Sequence, residues 1–184
     1  MSARQYICLL RGINVGGQKS MQMSDLRDCF EKWGFQDILT YIQSGNILFR
    51  ANESSKTALK AIIEAGIKKE YGFDVETFVT TGSAISKMIA GSPYRERSLR
   101  SDEKIYFTLL SSIPEKENVR KLIEFSEGDD QITLAKDVVY ALIRKGYNKT
   151  KFSNNFLEKI LKVKATTRNL ETMKKLASLS KELR

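Results

Sequence analysis

Apolar positions along this chain follow two periodicities, and the switches between them mark its elements. Tyr6-Ile7-Cys8-Leu9-Leu10 is a short unbroken apolar run and predicts a buried strand. The stretch from Arg11 to Gln22 carries glycines and polar residues and predicts a loop. Leu26, Cys29, Phe30 and Trp33 then recur at the spacing of one helix face, with Ser24 as candidate N-cap and Gly34 as candidate stop. Strands are expected over 38–43 and 47–50, joined by a turn at Ser44-Gly45-Asn46. Leu59, Ile62, Ile63 and Ile67 mark a second helix ending near Tyr71-Gly72, and 76–81 a fourth strand. Ile85, Met88 and Ile89 share one face of a short further helix.

The segment 92–102 is poor in apolar residues, carries Pro93, serines and arginines, and reads as a linker. The pattern then repeats. Ile105–Leu110 echoes the first strand, down to its final Leu-Leu. Pro114 suits the first turn of a helix bearing Val119, Leu122 and Ile123. Residues 131–135 and 138–143 read as a hairpin turning at Lys136-Asp137. Phe156, Leu157, Ile160 and Leu161 mark a helix capped by Ser153, 163–167 a short strand, and Leu170, Met173, Leu176 and Ala177 the last helix. Thr80-Thr81 and Thr166-Thr167 each lead into a closing helix.

The expectation is an α+β protein of two tandem ferredoxin-like (βαββαβ) subdomains, each followed by a short extra helix: 1–91, a linker at 92–102, and 103–184. An internal duplication follows from the repeated order. Neither leading strand alternates apolar with polar residues, so both faces of both sheets are expected to be covered.

Composition narrows the chemistry. None of the 184 residues is histidine, which excludes histidine bases, triads and histidine zinc ligands. Cys8 and Cys29 lie on apolar faces and read as reduced core thiols. No metal site and no cofactor are expected. No apolar run nears the length of a membrane span, and Tyr6–Leu10 is too short for a signal peptide core, so a cytoplasmic protein without membrane contact is expected. The formal net charge is +9, and residues 144–184 hold twelve Lys/Arg against three acidic residues, so the whole excess sits there. Such a basic region suits a phosphate-bearing ligand or nucleic acid; solvated helices would account for it equally well.

The segments Leu9-Leu10-Arg11-Gly12-Ile13-Asn14-Val15-Gly16-Gly17, then Met23 and Leu26, then Tyr41-Ile42-Gln43-Ser44-Gly45-Asn46, and the ending Leu157-Glu158 with Thr166-Thr167-Arg168-Asn169, resemble a bacterial family catalogued as domain of unknown function 1697. The resemblance spans nearly the whole chain and departs at Leu170, where many members carry Trp. It implies two ferredoxin-like subdomains and no activity.

Three segments are candidates for ligand binding. Arg11, Gly12, Asn14, Gly16, Gly17 and Lys19 follow a strand in a glycine-rich loop whose backbone N–H groups could gather an anion. A nucleotide-triphosphate loop is excluded by Gln18, which intrudes before Lys19-Ser20. Ser44 and Asn46 would add polar contacts if the hairpin tip approaches this loop, although turn chemistry alone explains them. Arg168 and Asn169 stand at the expected N-terminus of the last helix, where the dipole favours anions and where Asn169 is also an ordinary cap. The adjacent carboxylates Asp129-Asp130 form no catalytic constellation. Three readings stay open: a phosphate-ligand or nucleic-acid binding module, an enzyme acting on a small anionic metabolite between the subdomains, and a protein-interaction scaffold.

Overall fold

The computed structural model describes residues 3–125, 130–144 and 146–182. The chain divides into two compact units, Met1–Ile85 with Lys175–Arg184, and Ser86–Lys174. The architecture is α+β, with two four-stranded antiparallel sheets and six α-helices among the described residues.

In the first unit β1 (Arg4–Leu10) lies between β3 (Asn46–Ala51) and β4 (Thr77–Thr80), and β2 (Gln36–Tyr41) forms the edge beyond β3. The sheet order is β2-β3-β1-β4. The helices α1 (Met23–Lys32) and α2 (Lys56–Tyr71) follow β1 and β3, and α3 (Gly82–Ala90) follows β4. Tyr6, Cys8 and Leu10 of β1 point into one core with Leu26, Phe30, Phe49, Leu59, Ile63 and Ile67. Phe30 is its hub, with Trp33, Phe35 and Phe49 all within 5.5 Å of its ring centre. Gly66 of α2 makes room for that cluster, since a Cβ there would lie 2.3 Å from the Trp33 ring. Ile7 and Leu9, on the opposite face of β1, are also buried, as the absence of alternation predicts.

The second unit repeats this order. β5 (Glu103–Leu110) lies between β7 (Val138–Arg144) and β8 (Ala165–Asn169), with β6 (Gln131–Ala135) at the edge, in the order β6-β7-β5-β8. The helices α4 (Lys116–Glu124), α5 (Asn154–Leu161) and α6 (Leu170–Glu182) hold the places of α1, α2 and α3 in chain order, the residues of α6 from Lys175 onward counting with the first unit. A 3-10 turn at Tyr147–Lys149, without a periodic signature in the sequence, precedes α5. The segment 92–102 is counted with this unit: Tyr94 is buried and meets Thr133 at 3.2 Å, and Arg97 pairs with Glu103.

Several local expectations shift, and β2, expected at 38–43, runs over Gln36–Tyr41. Gln22, not Ser24, stands at the N-cap of α1, and the Ser24 hydroxyl donates to Asp25 inside the helix. Pro114 precedes α4 as expected, standing directly before its cap Glu115. The strand expected at 163–167 runs from Ala165 to Asn169, because Lys162 takes a left-handed conformation that ends α5 and the next two residues complete the turn. Thr80 and Arg168 thus hold equivalent places, each three residues beyond the partner of Leu10 or Leu110, so the two Thr-Thr pairs do not correspond.

Candidate functional site

The glycine loop is a small hairpin. Asn14 N–H donates to Lys19 O (3.2 Å) and Gln18 N–H to Val15 O (3.2 Å). Gly16 and Gly17 take φ of 60° and 73°, the two successive positive values of the tight turn that matches strand twist. The Asn14 side chain locks this hairpin in place. Its Nδ2 donates to Met21 O (2.9 Å) and Gln43 O (2.8 Å), and its Oδ1 accepts from Met21 N (2.8 Å). The loop and the turn between β2 and β3 do come together, as Leu10 N–H donates to Gly45 O (2.8 Å). Gly45 is required there: its φ is 72°, and a Cβ would lie 2.7 Å from Ile13 Cδ1.

The polar groups named from the sequence in this region are engaged in holding it. Asn46 is buried in β3, its Nδ2 donating to Tyr41 O and Ser44 Oγ. Lys19 Nζ donates to Asp74 O (2.6 Å), and Arg11 N–H to Glu76 O (3.0 Å). Gly12, Gly16 and Gly17 are exposed. Arg168 and Asn169 belong to the second unit. Arg168 is buried in β8, with Nη1 donating to Thr166 Oγ1 (3.0 Å) and Thr167 O (2.9 Å). Asn169 caps α6, its Oδ1 accepting from Thr172 N (2.8 Å). Asp130 accepts from Arg144 N and Thr150 Oγ1, while Asp129, Lys145 and Arg184 lie outside the described residues.

A cavity of about 450 Å³ opens at the other end of β1. Its wall comprises Arg4, Gln5 and Tyr6 of β1, Ser54 and Lys56 at the start of α2, Thr81, Gly82 and Ser83 at the start of α3, and Ser180. Two helix N-termini meet it, with their partial positive charge. Ser55 caps α2 by accepting from Ala58 N (3.2 Å), and Thr81 caps α3 by accepting from Ala84 N (3.3 Å). Arg4 and Lys56 add two full charges, and no carboxylate is among the lining residues. Glu53, next to Ser54, accepts from Ser55 N (2.7 Å). The buried Nε2 of Gln5 has no hydrogen-bond partner among the described residues. Gly82 lets Ser180 close the wall: a Cβ on Gly82 would lie 1.7 Å from Ser180 Oγ. Sequence reading passed over these residues because three of the four lining segments look like ordinary strand starts and caps; the small-residue run Thr81-Gly82-Ser83 between strand and helix was the available signal.

The second unit has the same corner with different contents. The paired bonds Leu10 N to Gly45 O and Leu110 N to Asp137 O align Gln5 with Ile105 and Tyr6 with Tyr106. The serine caps Ser55 and Ser153 align Ser54 with Phe152 and Lys56 with Asn154. The caps Thr81 and Asn169 align Ser83 with Glu171. Ile105 and Phe152 are buried core residues, Tyr147 packs on Tyr106 with ring centres 4.8 Å apart, and Thr167 Oγ1 donates to Asn154 Oδ1 (2.7 Å).

A third polar cluster is structural. Lys60 of α2 bonds Glu76 and lies 3.5 Å from Glu64. Glu64 Oε1 accepts from Thr77 N (2.8 Å), just as Glu158 Oε1 accepts from Ala165 N (2.9 Å) at the matching start of β8. Burial pushes the Glu64 carboxyl up from its ordinary range. Burial works against the charge of Lys60, yet its Glu76 hydrogen bond and both carboxylates hold its pKa above the usual value. Cys8 and Cys29 are buried and form no disulfide. No helix of the described residues is long and apolar enough to cross a membrane.

Among solved structures, the chain is similar to the conserved bacterial protein SP0830 from Streptococcus pneumoniae, with a TM-score of 0.76 at 23% sequence identity over 97% of this chain and 99% of that one. That likeness bears on the fold. No curated protein sequence is detectably similar. The family model described as protein of unknown function (DUF1697) matches residues 3–140, and the chain belongs to that family.

Proposed function

We propose that the protein is a binding module for a phosphate-bearing ligand, built by duplication of a ferredoxin-like unit, and that the cavity at the start of β1 is its site. The repeated strand order, the matched serine caps and the paired Glu64 and Glu158 bonds support the duplication. One observation carries the function. Where the second unit buries Ile105 and Phe152, with Asn154 and Glu171 at the matching helix starts, the first lines a cavity with Gln5, Ser54, Lys56 and Ser83. The fold therefore does not require the polar lining. Two helix N-termini and two cations converging on one cavity are the arrangement that binds phosphate oxygens.

The glycine loop from Arg11 to Lys19, with Ser44 and Asn46, stands at the opposite end of β1 and is a preformed, braced projection. In this reading it is not the phosphate site, because the Asn14 and Asn46 amides and the Lys19 ammonium are engaged internally. Recognition of single-stranded RNA on an open sheet is disfavoured, because stacking needs exposed aromatic rings and both faces of β1 are buried.

Thermal unfolding of the full chain with inorganic phosphate and pyrophosphate tests the proposal. Ligand at a hundred times its Kd should stabilise by about 2.7 kcal/mol, and Lys56→Ala should lower affinity at least tenfold. Absence of any shift at low ionic strength, or equal binding by Lys56→Glu, would overturn it.

A further inference from the structure

We infer, on the reading that this cavity binds phosphate, that its ligand is a small hydroxyl-bearing phosphate ester, a phosphorylated sugar or polyol, and not a nucleotide or a nucleic-acid strand. The lining separates into two chemistries. Arg4 and Lys56 supply positive charge, whereas Ser54, Thr81, Ser83 and Ser180 supply hydroxyls. A hydroxyl donates one hydrogen bond and accepts two, so a wall of hydroxyls matches a ligand whose own groups also do both. Thr81 Oγ1 and Ser83 Oγ are 3.2 Å apart and present such a pair at the start of α3. Gln5 also lines the wall and adds an amide side chain to these hydroxyls.

A nucleobase has no comparable place. Base recognition relies on stacking against an aromatic or apolar surface. The only ring in the wall is Tyr6, which is 3% exposed, packs on Phe49 with ring centres 5.8 Å apart, and donates its hydroxyl to Ser54 O. The volume of about 450 Å³ falls within the range of small-molecule sites, about 300–1,000 Å³.

The test is calorimetric titration of the full chain with four probes: inorganic phosphate, a hexose 6-phosphate, the unphosphorylated hexose, and adenosine monophosphate. The hexose phosphate should bind at least tenfold more tightly than either inorganic phosphate or the nucleotide, with one site per chain, and the free hexose should bind at least a hundredfold more weakly. Gln5→Ile, which installs the residue of the second unit, should bring the ratio of hexose phosphate to inorganic phosphate affinity close to one. If Gln5→Ile does not fold, Ser83→Ala should lower the same ratio. Equal affinity for hexose phosphate and inorganic phosphate would overturn this inference and leave the phosphate site standing, as would preference for the nucleotide. Binding of none of the phosphates would overturn the phosphate site itself.

Discussion

The corner at the start of β1 and its counterpart at the start of β5 are made by the same elements, held by the same serine caps, and set against the same tyrosine position. In one, Phe152 and Ile105 are buried and Tyr147 covers Tyr106. In the other, Ser54 and Gln5 line an open cavity and Lys56 stands at the helix start. Burying Phe and Ile at such positions stabilises a fold by about 1.5–3 kcal/mol per side chain. The first unit forgoes that gain, and leaves the buried Gln5 amide nitrogen without a hydrogen-bond partner among the described residues. A stability loss retained at one of two equivalent places marks the place where something other than stability shapes the residues.

The same contrast runs through the loops that leave the two leading strands. In the second unit, five residues, Ser111 to Glu115, join β5 to α4. In the first, Arg11 to Gln22 carry the chain from β1 to α1 through a braced hairpin. The long loop is thus an addition to a fold that closes without it.

The largest expected effect breaks the comparison at the turns. Gly45→Ala forces a side chain onto positive φ and against Ile13 and Leu10, and should cost about 3 kcal/mol, whereas Asp137→Ala at the matching turn should cost under about 1 kcal/mol in denaturant unfolding. Equal costs would mean the two turns are not built differently. Next, Asn14→Ala removes three hydrogen bonds and should cost about 2 kcal/mol, with amide exchange rising across the loop and not in the sheet. Unchanged exchange at Met21 would show that Asn14 is not the lock.

Two carboxylates should sharpen the contrast by responding to pH in opposite senses. Glu64 sits above its ordinary range, chiefly through burial, so its protonation favours the fold, and that contribution is lost as pH rises through its folded pKa. Glu103 sits below its range, chiefly through the Arg100 N–H, helped by Arg144 and Arg97. Its contribution is present above about pH 4.3 and is lost as pH falls through its folded pKa. Between about pH 6 and about pH 3, Glu64→Gln should steepen the fall of Tm with acidification and Glu103→Gln should flatten it. A shift of both variants in the same direction would count against these assignments. The smallest effect on stability, within about 0.5 kcal/mol, is expected for exposed Ser83→Glu. It imports the acid of the second corner and should abolish phosphate binding; retained binding would separate the cavity from the ligand.

Much of this was legible in the chain. The apolar runs Tyr6–Leu10 and Ile105–Leu110 led to the two central strands, the helix-spaced sets from Leu26 and Leu59 to α1 and α2, and Gly45 and Lys136-Asp137 to the hairpin turns. The absence of alternation correctly foretold two buried faces on β1. The approach of the loop to the hairpin was foreseen as a condition; its execution through Asn14 was not, because an amide's partners depend on backbone brought in from residues far along the chain. The start of β8 was misplaced, since a non-glycine left-handed cap such as Lys162 leaves no mark in hydrophobic periodicity.

The sequence by itself determined the class, the repeated order of elements and the absence of histidine chemistry, because these depend on local periodicity and composition. Tertiary structure alone decided which polar residues are engaged and which line an open space. Arg4, Lys56, Ser83 and Ser180 are separated by up to 176 positions in the chain, and only the pairing of β1 with β3 and β4, with Gly82 admitting the last helix, brings them around one cavity.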